Sequence, residues 1–179
     1  GLEFDSVDDM LTYVGVPLTG TAGSVLIIYR VKSVPNSYQT ILASSDTATA
    51  TKYLALHARG NTANPHIGYG QNNAGTEDLL DGNSTVTDEL DCAAYWASNG
   101  TTVTARLNGV AQTLTADTGA NNGDWWDDST GKDVTTLGGL KHTSETNFAG
   151  VIFHEALVYP INLNAASLAS LATYILNKY

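Results

Sequence analysis

The run Glu89-Leu90-Asp91-Cys92-Ala93-Ala94-Tyr95-Trp96-Ala97 is followed by Ser98-Asn99-Gly100 and Thr101-Thr102-Val103-Thr104-Ala105-Arg106-Leu107. Asn108-Gly109 and Val110-Ala111-Gln112-Thr113-Leu114-Thr115-Ala116 come next. Asn-Gly pairs supply the positive φ values that a tight hairpin turn requires, so this stretch reads as a meander of three strands joined by two turns. Short strands separated by turn chemistry predict an all-β chain, and the reading extends outward in both directions from here.

Upstream, Ser24 to Val31 is branched and nearly apolar throughout, which predicts a central strand covered on both faces. Leu2 to Asp5, Met10 to Val14, Gln39 to Ser44, Lys52 to Arg59 and Pro65 to Tyr69 are further strands. The Lys52–Arg59 run has two faces between which periodicity does not choose. Gln71 to Asn83 reads as a loop, with turns at Asp78-Leu79-Leu80-Asp81-Gly82. Downstream, Asp117 to Asp133 has no periodicity and predicts a long exposed loop, and Val134–Leu137 and Gly150–Tyr159 are the last strands. Leu168, Leu171, Ala172 and Ile175 recur at helical spacing behind Asn164, a capping residue, so one short helix closes the chain.

The composition agrees. Among 179 residues there are 23 Thr and 17 Gly, and 13 Asp against only 5 Glu; residues that suit strands and turns displace those that fill exposed helices. The length fits a single domain over residues 1–179. The formal charge of −10 argues against nucleic acid, which is held by clustered Lys and Arg. No run approaches the roughly 18 apolar residues of a membrane span, which predicts no membrane insertion. Cys92, the one cysteine, excludes an internal disulfide. No basic-then-apolar leader follows Gly1, so the start reads as a processed terminus or a domain cut from a longer chain.

Three places resemble the concanavalin A-like (laminin G-type) jelly-roll family: Leu2-Glu3-Phe4-Asp5-Ser6-Val7-Asp8-Asp9-Met10-Leu11 its first hairpin, Trp96 to Gly109 its central hairpin, and Phe148 to Tyr159 its closing strand. The terminal Tyr174-Ile175-Leu176-Asn177-Lys178-Tyr179 is similar to the tail of many bacterial and phage members. The resemblance implies a two-sheet antiparallel jelly-roll sandwich with one short C-terminal helix. The family includes lectins, carbohydrate-binding modules, glycoside hydrolases, polysaccharide lyases, adhesion domains and virion surface proteins, so function must be argued from a site.

Catalytic patterns are incomplete. Laminarinase-like members carry Glu-x-Asp-x-x-Glu on one strand; here Glu89-Leu90-Asp91 begins the pattern and no second Glu follows. The Gln-Ile-His element of the lyases is missing, with Pro65-His66-Ile67 no substitute, and His57, His66, His142 and His154 lack metal-ligand spacing. The expectation is no catalytic residue and no enzyme. Binding candidates come from Asp124-Trp125-Trp126-Asp127-Asp128: exposed indoles stack on pyranose faces, and Asp124, Asp127 and Asp128 accept hydroxyl hydrogen bonds. Asp124, Asp127, Asp128 and Asp133 are also candidate oxygen ligands, so the cofactor expectation is none, or Ca²⁺. The alternative is that one Trp plugs the sandwich edge and the aspartates solvate a turn. Asp5, Asp8 and Asp9 are a second acidic group, in a turn that the resemblance makes structural. Gly60–Asn64 and Gly70–Asn73 are amide-rich segments able to flank a sugar.

The sequence thus predicts a non-catalytic recognition or adhesion module, extracellular or on a virion surface, whose partner is a glycan or a protein surface. A structural virion domain with protein partners is the second reading, and a glycan-processing enzyme the third. Assembly into a larger oligomer is compatible with the first two.

Overall fold

The computed structural model describes residues 1–32, 38–59, 66–87 and 89–178. In chain order the strands are β1 (Leu2–Glu3), β2 (Leu11–Val14), β3 (Gly23–Val31), β4 (Gln39–Ser45), β5 (Lys52–Arg59), β6 (His66–Asn73), β7 (Thr76–Thr85) and β8 (Asp91–Ser98). They continue as β9 (Val103–Leu107), β10 (Val110–Gln112), β11 (Thr115–Thr118), β12 (Val134–Leu137), β13 (Leu140–Lys141), β14 (Glu145–Thr146) and β15 (Val151–Tyr159), before helix α1 (Ala165–Lys178).

Two antiparallel sheets hold most of them. A six-stranded sheet runs β1-β15-β3-β8-β9-β10 and a seven-stranded sheet runs β11-β7-β6-β5-β4-β12-β2, with β13-β14 as a small separate hairpin. Alternation along β3 explains its apolar sequence: Val25, Ile27, Tyr29 and Val31 face the core between the sheets, while Leu26 and Ile28 face outward beneath Leu171 of α1. Both faces are covered, so no polar alternation survives. Asn164 caps α1, its side-chain oxygen accepting the Ser167 amide at 2.9 Å.

The meander over β8, β9 and β10 forms as expected, and Asn108 (φ 50°) and Gly109 (φ 81°) make its second turn. The first turn differs: residues 99–102 connect β8 to β9, and Asn99 contributes its side chain, accepting the Thr101 and Thr102 amides, where only Gly100 has positive φ. Two other expectations are corrected. Gln71 to Asn83 is not a loop but the heart of the β6–β7 hairpin, closed by Ala74 (φ 54°) and Gly75 (φ 100°). Its aspartates suit a strand because Asp78, on the core side with Leu80, has its charge met by the Ala120 amide at 2.7 Å and Asn122 Nδ2 at 3.1 Å. Val110 to Ala116 is likewise not one strand: β10 pairs with β9 and β11 pairs with β7, so the chain crosses between sheets there.

Phe4 closes the N-terminal end of the core, 3% exposed, directly over Gly138. Gly138 has φ +84°, and a Cβ there would sit 2.3 Å from Phe4 Cδ1. Gly138→Ala combines left-handed backbone strain, about 1–2 kcal/mol, with overpacking, about 1–3 kcal/mol. Urea unfolding should therefore show a loss of about 2–5 kcal/mol; an unchanged midpoint contradicts this packing.

Candidate functional site

The rings expected to be an exposed sugar platform are buried: Trp125 and Trp126 are each 1% exposed. Trp125 stacks parallel to Tyr69 with centroids 6.4 Å apart, and its indole nitrogen lies over Gly23, where a Cβ would sit 2.8 Å away. Trp126 packs against Trp125 at 5.6 Å. Such rings remove some 150–250 Å² of apolar surface each from water, and the segment folds inward to do so. The long exposed loop is thus corrected, and both indoles, not one, plug the end of the sandwich.

The neighbouring aspartates are the segment's fasteners. Asp127 accepts the Gly20 amide at 2.7 Å, Asp128 the Trp125 amide at 2.6 Å, and Asp133 the Thr47 amide and hydroxyl at 2.9 and 2.7 Å. Burial, then the charges of Asp128 and Asp78, raise the Asp124 carboxyl above its ordinary range. Asp124, Asp127, Asp128 and Asp133 do not converge on one point. Among the described residues the acidic group close enough to share an ion is Asp5, Asp8 and Asp9, where Asp5 Oδ1 already accepts the Val7 amide at 2.8 Å. Glu89 lies outside β8 at φ 61°, so it does not share a strand face with Asp91. Asp91 is held by Arg30 at 2.8 and 2.9 Å and by His154 at 3.0 Å. Cys92 is buried, which pushes its thiol up to about 12 and leaves it inert.

A different group of polar side chains gathers on the outer face of the seven-stranded sheet. Cross-strand register builds it in rows. His57 of β5 pairs with Gly68 of β6, which pairs with Asp81 of β7; Ala55, Gly70 and Leu79 form the next row, and Tyr53, Asn72 and Glu77 the one after. Two successive outward positions of β6 are therefore glycine. A Cβ on Gly70 would lie 2.8 Å from His57 Nε2 and 3.0 Å from Leu79, and one on Gly68 would lie 3.0 Å from Asp81 Oδ1. The side chains of the flanking strands lean over β6 because nothing rises from it.

Tyr38, immediately before β4, covers the imidazole with ring centroids 5.0 Å apart at 49°. Its hydroxyl donates to Asp117 Oδ2 of β11 at 3.2 Å, and Tyr53 donates to Glu77 Oε1 at 2.5 Å. Burial, then the charges of Asp81 and Asp117, push the Tyr38 phenol far above its ordinary range; burial and the Glu77 hydrogen bond do the same to Tyr53. Both phenols stay protonated donors at any working pH. His57 is 2% exposed, and burial lowers its pKa to about 3, so the ring is neutral. Its Nδ1 lies 3.2 Å from Thr40 Oγ1, while Nε2 has no hydrogen-bond partner among the described residues. The face thus combines two aromatic hydroxyls, a neutral imidazole and the carboxylates of Glu77, Asp81 and Asp117.

Sequence reading missed this group, although the alternating Gly68-x-Gly70 and Glu77-x-Leu79-x-Asp81 carried a signal. Gly70–Asn73, expected as a flanking loop, lies in β6. Gly60–Asn64 falls outside the described residues. The hollow between α1 and the six-stranded sheet, about 310 Å³, is lined mainly by apolar side chains such as Leu26, Leu168, Leu171 and Ile175, with Tyr95 and Arg106 its polar members.

No protein-family model matches the chain, and no curated protein does. Among solved structures it is similar to the NanB sialidase of Streptococcus pneumoniae (TM-score 0.76, 17% identity), covering 95% of this chain and 27% of the sialidase. It is similar to the Ruminococcus gnavus IT-sialidase CBM40 bound to α2,3 sialyllactose (TM-score 0.68, 19% identity, 84% of this chain and 82% of that one). A pentraxin from Limulus polyphemus matches with TM-score 0.64 at 9% identity, covering 95% and 80%. The chain spans about a quarter of the sialidase. At these identities the likeness establishes the fold alone, a jelly-roll β-sandwich.

Two outcomes follow from this geometry. Trp125→Ala should cost about 3–5 kcal/mol of stability, as large aromatic core truncations do, measurable by urea unfolding; a loss under about 1 kcal/mol contradicts its burial. For His57, the unfolded chain binds a proton below about pH 6.5, while the folded chain does not until about 3. The unfolded state holds more protons between those values, so stability drops by about 1.4 kcal/mol for each unit by which pH is lowered through this window. Wild type should lose that much more than His57→Gln across this window, and parallel profiles would contradict a neutral buried ring.

Proposed function

We propose that the chain is a non-catalytic carbohydrate-recognition module of a secreted or surface-exposed protein, and that it binds glycan on the outer face of β5, β6, β7 and β11. The observation that carries this reading is the gathering of Tyr38, His57, Asp81 and Asp117 around the two glycines of β6, with the Tyr53–Glu77 pair one row further along, beside Asn72. Carboxylates accept hydrogen bonds from sugar hydroxyls, and aromatic rings offer an apolar surface to a pyranose. Their arrangement over a rigid sheet means that little ordering is required on binding. The fold supports the reading because similar solved domains include one bound to sialyllactose.

Spacing disfavours hydrolysis by the Glu77–Asp81 pair. Glu77 and Asp81 are four residues apart on one strand, so their Cα atoms stand ~13 Å apart at ~3.3 Å per residue. Carboxyl pairs that cleave glycosidic bonds are about 5–9.5 Å apart. Glu77 is moreover engaged by Tyr53. A structural role with a protein partner finds support in the apolar edge of the seven-stranded sheet, where Leu11, Tyr13 and Val14 of β2 are 51%, 61% and 87% exposed.

Glycan-array screening followed by calorimetry tests the proposal. Tyr38→Ala and Asp81→Ala should each weaken binding at least ten-fold while the melting temperature stays near that of wild type. Binding unaffected by both, or turnover of the bound glycan, overturns it.

A further inference from the structure

Four strands end the two sheets, and three of them are blunted against further pairing. β1 is two residues long and includes Glu3, β10 is three residues long, and β11 carries Asp117 and a register break between Ala116 and Thr118. Charges, irregularities and very short strands are the means by which sheet edges avoid other strands. β2 uses none of them: Leu11-Thr12-Tyr13-Val14 is uncharged and pairs with β12 without a break over all four residues. No strand lies on its other side among the described residues, so that edge offers backbone N–H and C=O groups for pairing.

Apolar surface gathers at the same edge. Leu11 and Tyr13 share one face of β2 and line a hollow of about 430 Å³ with Leu18, Leu42, Ala156 and Val158, between the edges of the two sheets. β1 pairs with β15 only at Ile152 and Phe153, so Ala156 and Val158 have no strand on that side among the described residues. Leu11, Tyr13 and Val158 stay exposed there, and their burial would be favourable. The sequence of β2 also specifies its own complement. Two β2 strands paired antiparallel about Thr12 set Thr12 against Thr12, Leu11 of each copy against Tyr13 of the other, and Met10 against Val14. Aliphatic then meets aromatic on the side of the hollow, and threonine meets threonine on the other, both favourable cross-strand combinations. No charged residue occurs from Met10 to Leu18; Asp9 falls opposite Gly15 and Asp8 opposite Val16, so no like charges face each other. A shift by one residue would turn the two hollows to opposite faces of the joined sheet, which fixes the register.

We infer that a second copy of this chain pairs with the first through β2, antiparallel and two-fold symmetric about Thr12, joining the two seven-stranded sheets into one. A two-fold contact closes on itself, so the assembly stops at a dimer. Four paired residues on each side make a small interface, of the kind that forms and dissociates readily. The contact does not depend on the glycan-binding reading, whose face lies toward β11 at the other edge of the sheet and stays open in the dimer.

Sedimentation equilibrium of the purified chain, from micromolar to half-millimolar concentration, tests this. A monomer–dimer equilibrium with no larger species is expected, and it should tighten when NaCl is raised to about 0.5 M, which screens the −10 on each copy. Thr12→Lys, at an exposed position, sets two like charges opposite each other and should weaken the dimer at least ten-fold, with the melting temperature near that of wild type. Thr12→Glu alone should do the same, and mixing the two variants should restore association, because residue 12 meets residue 12 only in this register. If either variant fails to fold, hydrogen exchange of the wild type decides: the amides of Leu11–Val14 should gain protection as concentration rises while those of β11 do not, and the absence of such a gain overturns the inference. A dimer that salt dissociates, one indifferent to Thr12→Lys, or no rescue on mixing overturns it as well. A monomer at every concentration overturns it and leaves the β2 edge to a strand of another protein.

Discussion

Strand β6 raises no side chain at two successive outward positions, Gly68 and Gly70, and the polar face of the molecule is organised around that gap. His57 and Leu79 lean over Gly70, Asp81 approaches Gly68, and Tyr38 lies on the imidazole. A side chain at either glycine would displace a residue from this arrangement. The constraint is steric before it is chemical: antiparallel register puts His57, Gly68 and Asp81 in one row, and only the missing Cβ lets the outer two approach each other.

The two sheets divide their work accordingly. The six-stranded sheet spends both faces on apolar packing, the inner against the core and the outer against α1, which Tyr174 and Lys178 tie to Glu155 of β15. The seven-stranded sheet packs one face and leaves part of the other polar. There Ala43, Tyr53 and Ala55 are covered with Leu140 of the β13–β14 hairpin, while the end carrying His57, Leu79 and Asp81 has no such cover among the described residues. Rigid strands with a polar end are a scaffold on which groups are held in place before a ligand arrives, which is what limits the entropic cost of recognition.

Much of the architecture was legible in the sequence because it depends on local chemistry. Branched runs, the Asn108-Gly109 turn and the Asn164 cap each act within a few residues. The Trp125–Trp126 segment misled because its flanking aspartates, read as solvated, are hydrogen-bond acceptors for distant backbone amides such as that of Gly20. Strand β7 misled for a similar reason, since Asp78 is buried and its charge is met from residues 120–122, more than forty positions away. The candidate site was not legible because its members come from β5, β7, β11 and the residue before β4, and become neighbours only through register. The two faces of Lys52–Arg59 could not be told apart until β6 was aligned beside it, which assigns Leu54 and Leu56 inward and Tyr53 and His57 outward.

The proposed ligand face is the outer side of β5, β6 and β7, not the tryptophan segment. Backbone amide NMR during titration with a glycan that binds on the array tests this most directly. Shifts concentrated at His57, Gly68, Gly70 and Asp81, with residues 124–128 unmoved, are the expected result. Perturbations centred on Trp125 and Trp126, or spread along the exposed edge of β2, would contradict it.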